Sequence, residues 1–285
     1  MIRSIFEALE NRTLLAVTPL DIGQFKGRPG QFGTLNGAAL FTTTDLPNGQ
    51  LLWATDGTAQ GTRLVKDLET AESTPAQWFV SGRDNALVVG DTFFFTGVDN
   101  GHGRELWASD GTPQGTRMVA DLAPGEEDSN PEGFIALGRQ LLFTANRKLY
   151  RTDGTAAGTW LVMDADPLGF EQPERMAVLG NHAYFMVYPG GDPYIGQYNT
   201  GGLWRTDGTP QGTVMIRDVS PQPFDPIGAT PSRSGMINVG GTLFFTANDG
   251  INGYELWRSD GTKKGTILVR DLLHGGAGGD MGGMY

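Results

Sequence analysis

The stretch that decides the fold is Glu105-Leu106-Trp107-Ala108-Ser109-Asp110-Gly111-Thr112, which closes with Gly115-Thr116. The same pattern occurs five times in the chain of 285 residues. Its copies follow one another about every 50 residues, which is a typical period of propeller blades and longer than most solenoid coils. The aspartates of the copies are Asp56, Asp110, Asp153, Asp207 and Asp260. The aromatic residues that precede them are Trp53, Trp107, Tyr150, Trp204 and Trp257.

Each unit divides into four short strands, which the compact third unit shows most clearly. Gly138-Arg139 and Asn146-Arg147 are two-residue turn signals between apolar stretches. Short hairpin links join neighbouring strands into an up-and-down antiparallel sheet. The strands predicted for this unit are 134–137, Gln140–Ala145, Lys148–Thr152 and 159–164.

The second strands are apolar on both faces. Phe93-Phe94-Phe95 and Leu243-Phe244-Phe245 have no polar alternation, so both sides of the sheet must be covered. Sheets that stack around an axis cover each other in this way. The sequence therefore predicts an all-β fold, a five-bladed β-propeller of four-stranded antiparallel blades at 31–273. The blades are expected at about 31–68, 85–122, 133–165, 175–219 and 235–272, between an N-terminal segment at 1–30 and a Gly-rich tail at 274–285.

The residues that recur in every copy of the repeat have structural explanations. An Asp that opens a turn accepts backbone N–H groups just ahead of it, and Gly supplies the positive φ that the turn needs. The five aspartates are therefore predicted to be structural turn residues. The large ring of each copy is expected to pack between adjacent blades, where it buries much apolar area.

At these residues the chain resembles the bacterial ELWxxDGT-repeat proteins, often labelled hyalin-like. The copies at Glu105 and Glu255 match best, and the resemblance covers about residues 33 to 272. It implies a propeller-like protein that is exported or displayed on a surface, and it implies no reaction. The other copies hold Leu51, Lys148 and Gly202 at the Glu position, so a shared carboxylate there is not required.

Residues 6–16, Phe-Glu-Ala-Leu-Glu-Asn-Arg-Thr-Leu-Leu-Ala, resemble the LEPR-XLL motif of planctomycete surface proteins. The resemblance implies export or sorting, to the cell surface or the extracellular space. Asn11 stands where the motif has Pro. A short amphipathic helix is the alternative explanation, and no long apolar region typical of a secretory signal is present.

Composition excludes several classes of function. The net charge of −11 leaves no basic footprint for nucleic acid. The absence of Cys excludes disulfides and thiolate metal sites. No apolar run approaches the roughly 18 residues of a transmembrane helix. We expect a monomer or weak self-association.

Catalytic devices are not evident in the sequence. The three histidines lie in different units and show no metal-binding spacing. The expected inner strands, at 34–36, 87–89, 135–137, 177–179 and 237–239, carry no carboxylate. A carbohydrate-active hydrolase with paired carboxylates near the axis remains the alternative. Asp99-Asn100-Gly101 and Asn248-Asp249-Gly250 offer oxygens for Ca²⁺, although plain turns explain them too.

The fourth unit has the most irregular link, between its second and third strands. We predict ligand-binding residues here because tyrosines beside glycines suit carbohydrate stacking or a protein contact. They are Tyr188, Asp192, Tyr194 and Tyr198. The sequence thus favours a non-catalytic exported or cell-envelope propeller for adhesion or recognition of a carbohydrate or protein, without a required cofactor. A structural repeat of a surface assembly is a further alternative.

Overall fold

The computed structural model is a five-bladed β-propeller, which confirms the fold class. It describes residues 28–45, 49–68, 85–99, 101–165, 173–188, 201–220, 235–249 and 251–272. These residues form five four-stranded antiparallel sheets, in each of which the strands follow chain order. Within these ranges there is no helix, and none therefore that is long and apolar enough to cross a bilayer.

Each blade runs from an inner to an outer strand. Blade 1 comprises β1 Arg28–Leu35, β2 Ala38–Asp45, β3 Gly49–Thr55 and β4 Arg63–Asp67. Blade 2 comprises β5 Ala86–Val89, β6 Thr92–Gly97, β7 Glu105–Ser109 and β8 Arg117–Ala120. Blade 3 comprises β9 Glu132–Leu137, β10 Gln140–Ala145, β11 Lys148–Thr152 and β12 Trp160–Asp164. Blade 4 comprises β13 Glu174–Leu179, β14 His182–Val187, β15 Gly201–Thr206 and β16 Val214–Ser220. Blade 5 comprises β17 Ile237–Val239, β18 Thr242–Asn248, β19 Tyr254–Ser259 and β20 Ile267–Arg270.

The two faces of a blade pack on different neighbours. Phe93, Phe95 and Trp107 of blade 2 share a core with blade 1, and we call this the backward face. Phe94 and Leu106 share a core with blade 3, on what we call the forward face. Because side chains alternate along a strand, a second strand buried on both faces has to be apolar at successive positions.

A β-bulge recurs in every blade between the third and fourth strands. In blade 2 the pairing shifts between Leu106 and Trp107, which face Ala120 and Met118. Val119 is therefore the extra residue, and it is buried on the forward face. A bulge places two residues of one strand opposite one of the other, so the outer strand gains an apolar contact with the next blade. The same shift occurs at Leu52/Trp53, Leu149/Tyr150, Leu203/Trp204 and Leu256/Trp257.

Three inner strands begin several residues earlier than the sequence indicates. Strand β1 begins at Arg28, not at residue 34, so the propeller also begins inside the expected N-terminal segment 1–30. Strand β9 begins at Glu132 and β13 at Glu174, since the antiparallel pairing continues past a register shift toward Thr144 and Met186. The expectation that inner strands carry no carboxylate is therefore wrong for these two. Irregular pairing interrupts the apolar pattern that marks a strand in the sequence, so the pattern ends before the strand does.

Candidate functional site

The propeller has two edges of different character, because up-and-down strands alternate in direction. One edge, which we call the DGT edge, holds the loops at 56–61, 110–115, 153–158, 207–212 and 260–265. The opposite edge, which we call the link edge, holds the links between second and third strands and the blade-to-blade connections. Its described members include 98–99, 101–104, 121–131, 146–147, 249 and 251–253.

The DGT loops are nearly identical in the five blades. In blade 2, Asp110 Oδ1 accepts the N–H of Thr112 at 2.9 Å and its hydroxyl at 2.7 Å. The Thr112 hydroxyl oxygen then accepts the N–H of Gly115 at 3.0 Å. The Asp–Thr bonds at Asp56, Asp153, Asp207 and Asp260 have the same two lengths.

The five loop carboxylates serve their own turns. Bonds from Thr112, the hydroxyl first and then the backbone N–H, lower the pKa of Asp110 below its ordinary value. The corresponding Thr bonds lower the pKa of Asp56, Asp153, Asp207 and Asp260. Each carboxylate is thus stabilised in its ionised form by its own loop.

The DGT edge also joins neighbouring blades. Arg63 of blade 1 donates to the carbonyl of Gly111 in blade 2 at 3.0 Å. Arg117 of blade 2 donates to the carbonyl of Gly154 in blade 3 at 2.8 Å. The Asp, Thr and Arg side chains of this edge therefore stabilise its turns and the contacts between neighbouring blades.

The aromatic repeat residues lie on backward faces. Trp107 and Trp257 belong to clusters that each span two blades. Tyr150 and Trp204 are partly buried against the two remaining clusters. Trp53 lies on the backward face of blade 1, where its Nε1 donates to Thr43 Oγ1 of the same blade at 3.0 Å.

The link edge differs from blade to blade. Blade 3 has the tight turn Asn146-Arg147, with φ of 47° and 62°. In blade 2, Asp99 Oδ1 accepts the N–H groups of Gly101 and His102 at 2.9 Å. His102 Nδ1 lies 2.7 Å from the same oxygen, and this hydrogen bond raises the pKa of His102.

Blade 5 has the same type of turn with other side chains. Asp249 Oδ1 accepts the N–H groups of Ile251 and Asn252 at 3.0 and 2.8 Å. Ile251 is 76 % exposed, so the turn presents an apolar side chain to solvent. In the described part of the chain, no three His, Asp and Glu side chains are grouped so as to hold a metal ion.

Glu105 ties the link edge to the core. Its buried carboxylate accepts the Ser129 hydroxyl at 2.6 Å and the N–H groups of Leu122 and Ala123 at 3.2 Å. Burial raises the pKa of Glu105, against the lowering effect of these bonds. The Glu of this repeat copy therefore anchors the connection to blade 3.

Tyr188 lies where the link of blade 4 begins. Its ring packs against the core between blades 4 and 5, and the Arg175 guanidinium lies 5.3 Å from the ring centroid. Arg175 Nη1 donates to Thr246 Oγ1 of blade 5 at 2.9 Å. Desolvation raises the pKa of Tyr188, whose hydroxyl is buried. Asp192, Tyr194 and Tyr198 lie outside the described residues.

Two residues of this edge, Arg175 and Gln31, have a role that the sequence does not predict. Arg175 and Gln31 both have positive φ, at 56° and 51°, at bulges of inner strands. Gln31 Oε1 accepts the N–H of Thr96 in blade 2 at 3.0 Å, just as Arg175 reaches Thr246. Both residues thus combine a positive φ with a hydrogen bond to the next blade, and the sequence of Gln31 or Arg175 gives no sign of that backbone conformation.

Glu132 and Glu174 occupy the same position on neighbouring inner strands. Each pairs with the equivalent residue of its second strand, Thr144 or Met186. Strands β9 and β13 lie side by side. Two partly buried carboxylates therefore begin adjacent inner strands at the link edge.

No protein-family model and no curated protein matches the chain. The fold is similar to that of a puromycin hydrolase, with 16 % identity and a TM-score of 0.49 over 86 % of this chain. TolB from Acinetobacter baumannii has 12 % identity and a TM-score of 0.38 over 82 % of this chain. The chain spans 38 % of that hydrolase and 53 % of that TolB.

An α-L-arabinofuranosidase from Clostridium thermocellum has 14 % identity and a TM-score of 0.32, and the match covers 88 % of this chain and 96 % of the enzyme. Identities of this order carry no information on activity, because one fold hosts many functions.

Proposed function

We propose that the protein is a non-catalytic recognition propeller that binds a carbohydrate or protein ligand at its link edge. The proposal rests on the contrast between the two edges. The DGT edge repeats the same bonds five times, whereas the described links of the opposite edge differ in length and side chains. Loops that vary on a rigid scaffold are the usual carriers of binding specificity.

The turns of blades 2 and 5 show how such an edge presents side chains. The Asp99 and Asp249 carboxylates accept backbone N–H groups at equivalent positions of the two turns. The other side chains of the two turns differ. The backbone N–H of Ile251 is hydrogen-bonded to Asp249 within the turn, while the Ile251 side chain is exposed to solvent. A preordered loop loses little conformational entropy on binding, so an exposed apolar residue there favours contact with a ligand.

The proposal includes export, to the cell surface or the extracellular space. The N-terminal motif that suggests it lies outside the described residues. Cell fractionation of the host with an antibody against the propeller tests this part separately. Recovery in the cytoplasmic fraction alone contradicts export and leaves the binding proposal intact.

A glycan array and a surface-protein array, each probed with the purified chain, test the binding proposal. We expect selective binding that falls in Ile251→Ala and Tyr194→Ala. Trp160→Ala is the matched control, because Trp160 is also exposed, at 57 %, but lies on the outer strand of blade 3. Loss of binding in the control as well, or no selective ligand on either array, contradicts the proposal.

Hydrolysis of a glycan is the second candidate function, and the paired positions of Glu132 and Glu174 favour it. Two carboxylates on either side of a glycosidic bond can act as acid and base or as acid and nucleophile. Turnover of chromogenic glycosides that disappears in Glu132→Gln and in Glu174→Gln, but persists in Glu127→Gln, establishes it. Such a result overturns the non-catalytic proposal.

A further inference from the structure

The turn between the first two strands of blade 1 has a chemically labile sequence. Asn36-Gly37 joins β1 to β2, and both residues have positive φ, at 52° and 79°. Both residues are exposed. A Cβ placed on Gly37 meets nothing within 4 Å, so the space around this peptide is open. Among the described residues, neither the Asn36 side chain nor the Gly37 N–H has a hydrogen-bond partner.

A second Asn-Gly sequence, Asn252-Gly253 in the link of blade 5, is held by hydrogen bonds. Asn252 Nδ2 donates to Asp249 Oδ2 at 2.7 Å, and the Asn252 N–H donates to Asp249 Oδ1 at 2.8 Å. Asn252 is also half-buried. It is therefore a direct comparison for the turn of blade 1, because the residue types are the same while hydrogen bonding and exposure differ. The remaining Asn-Gly sequences, at 48–49 and 100–101, each include a residue outside the described ranges.

The five Asp-Gly sequences of the DGT loops are held at both residues. In blade 2 the Gly111 N–H donates to Ser109 Oγ at 3.0 Å. Asp110 Oδ1 accepts the N–H and the hydroxyl of Thr112, and the carboxylate lies against Gly115. The Gly nitrogen and the Asp carboxylate of the loop are therefore both fixed. In the other blades the equivalent N–H groups donate to Thr or Ser hydroxyls at 2.9 or 3.0 Å, at Gly57, Gly154, Gly208 and Gly261.

We propose that Asn36 is a site of spontaneous deamidation in the folded chain, whereas hydrogen bonds protect Asn252 and the Asp-Gly sequences of the DGT loops. In this reaction the Gly37 nitrogen loses its proton to hydroxide and attacks Cγ of Asn36. The Cγ–Nδ2 bond breaks, and ammonia leaves with a proton from water. Water then adds to one of the two carbonyls of the cyclic succinimide, which opens to aspartate or isoaspartate. One water is consumed and one ammonia is released, with no oxidation or reduction.

The folded structure favours this reaction at the turn of blade 1. Gly37 is exposed, so hydroxide can reach its N–H, and it has no Cβ to hinder the approach of its nitrogen to Asn36. At Asn252 the amide must first leave its charge-assisted bond to Asp249, which raises the barrier. In the DGT loops the electrophile is a carboxyl group, which resists attack while it is ionised. The Thr112 bonds favour that form, since they lower the pKa of Asp110.

The two products affect blade 1 differently. Aspartate leaves the backbone unchanged, and Asp-Gly suits a two-residue hairpin with positive φ at both positions. Isoaspartate adds a methylene to the backbone, so the turn no longer has the length that pairs Leu35 with Ala38. Leu35 lies in the core between blades 1 and 2, and a Cβ on Gly33 of the same strand would meet Phe93 at 2.5 Å. Isoaspartate is therefore expected to loosen a closely packed junction.

Peptide mapping by mass spectrometry, after incubation of the full chain at mildly alkaline pH, measures deamidation at each Asn-Gly sequence. We expect Asn36 to react about tenfold or more faster than Asn252 in the folded protein, because the bond to Asp249 adds to the barrier at Asn252. In urea the two rates should become similar, since the unfolded chain lacks these contacts. An Asn36 that reacts no faster than Asn252, or a rate ratio that is unchanged in urea, overturns the proposal.

Asp249→Ala tests the protection by hydrogen bonds directly. The variant releases the Asn252 amide, so deamidation at Asn252 should rise severalfold while the rate at Asn36 stays the same. Circular dichroism shows that the variant folds. An unchanged rate at Asn252 in the folded variant contradicts the proposed protection.

Labelling with an isoaspartate-specific methyltransferase detects the second product and tests the DGT loops. In the folded protein, methylation should appear in the peptide that contains Asn36 before it appears at any of the loop aspartates. After incubation in urea, the Asp-Gly peptides should be labelled as well. Labelling of the loop peptides as early as that of the Asn36 peptide in the folded protein overturns the proposal.

Discussion

The carboxylate of Asp110 fills the space in which a side chain on Gly115 would begin. Each of the five loops has the same relation between its Asp and its second Gly, at Gly61, Gly115, Gly158, Gly212 and Gly265. The second Gly of the repeat is therefore fixed by close approach, whereas the first, with φ of 87° at Gly111, is fixed by backbone conformation.

Gly115→Ala is expected to destabilise the protein by about 2–3 kcal/mol, because the new methyl group displaces the Asp110 carboxylate from the Thr112 bonds. Urea unfolding measures the loss. Gly101→Ala is the control, since the nearest atom to its Cβ position, Asp99 Oδ1, is 3.9 Å away. Equal losses in the two variants contradict the steric explanation.

Acidification is expected to weaken the fold through the same loops. The pKa of Asp110 is lowered in the folded protein, so the unfolded chain binds a proton first as the pH falls. The stability that this carboxylate provides is fully present above its ordinary pKa of 3.8 and is lost as the pH falls through the lower folded value. Urea midpoints measured from about pH 6 to about pH 2.5 follow the decline. Asp110→Asn should show a shallower decline, and an unchanged slope in this variant refutes the assignment.

His102 is expected to titrate above its ordinary pKa of 6.5, because the charged imidazole donates to Asp99. Its contribution to stability is present below pH 6.5 and is lost as the pH rises through the raised folded pKa. NMR titration of the imidazole measures this pKa directly. Asp99→Asn should return it toward 6.5, and a parent pKa at or below that value contradicts the expected bond.

The repeat predicts the strand number and blade order because apolar periodicity and the turn residues agree at every copy. The five Thr-bonded aspartates follow from the chemistry of Asp-Gly-Thr alone. The bulge at Leu106/Trp107 does not follow from the sequence, since the extra residue of a bulge in an apolar strand is an ordinary apolar residue. For the same reason the apolar pattern does not reveal that inner strands begin at Glu132 and Glu174.

The link edge is less predictable because its contacts join residues that are distant in sequence. Glu105 reaches Ser129, and Arg175 reaches Thr246. Neither pair has a local motif, since the three-dimensional stacking of blades brings the partners together. Tyr188 illustrates the result: it reads as a loop tyrosine, yet its hydroxyl is buried beside the Arg175 contact.

The side chain of Gln50 in blade 1 forms hydrogen bonds to the backbone of blade 2 and the link that follows its second strand, and its removal tests how much these bonds stabilise the fold. Its amide donates to the carbonyl of Thr96 at 2.9 Å and accepts the N–H of Val98 at 3.1 Å. Gln50→Ala leaves two backbone groups without these partners, so we expect a loss of about 2–3 kcal/mol. Gln140→Ala, which removes one part-buried bond of 3.4 Å to Arg151, should cost about 1 kcal/mol or less. Urea unfolding that ranks the variants in the opposite order contradicts the role of Gln50.

Leu106→Ala and Leu256→Ala compare a buried and a partly exposed leucine at one repeat position. Leu106 lies in the core between blades 2 and 3, so its truncation leaves a cavity and should cost about 3 kcal/mol. Leu256 is partly exposed, and its truncation should cost less than about 1.5 kcal/mol. Urea unfolding of the two variants measures both losses. Similar losses at the two positions contradict this prediction, because they require an equally buried environment for both leucines.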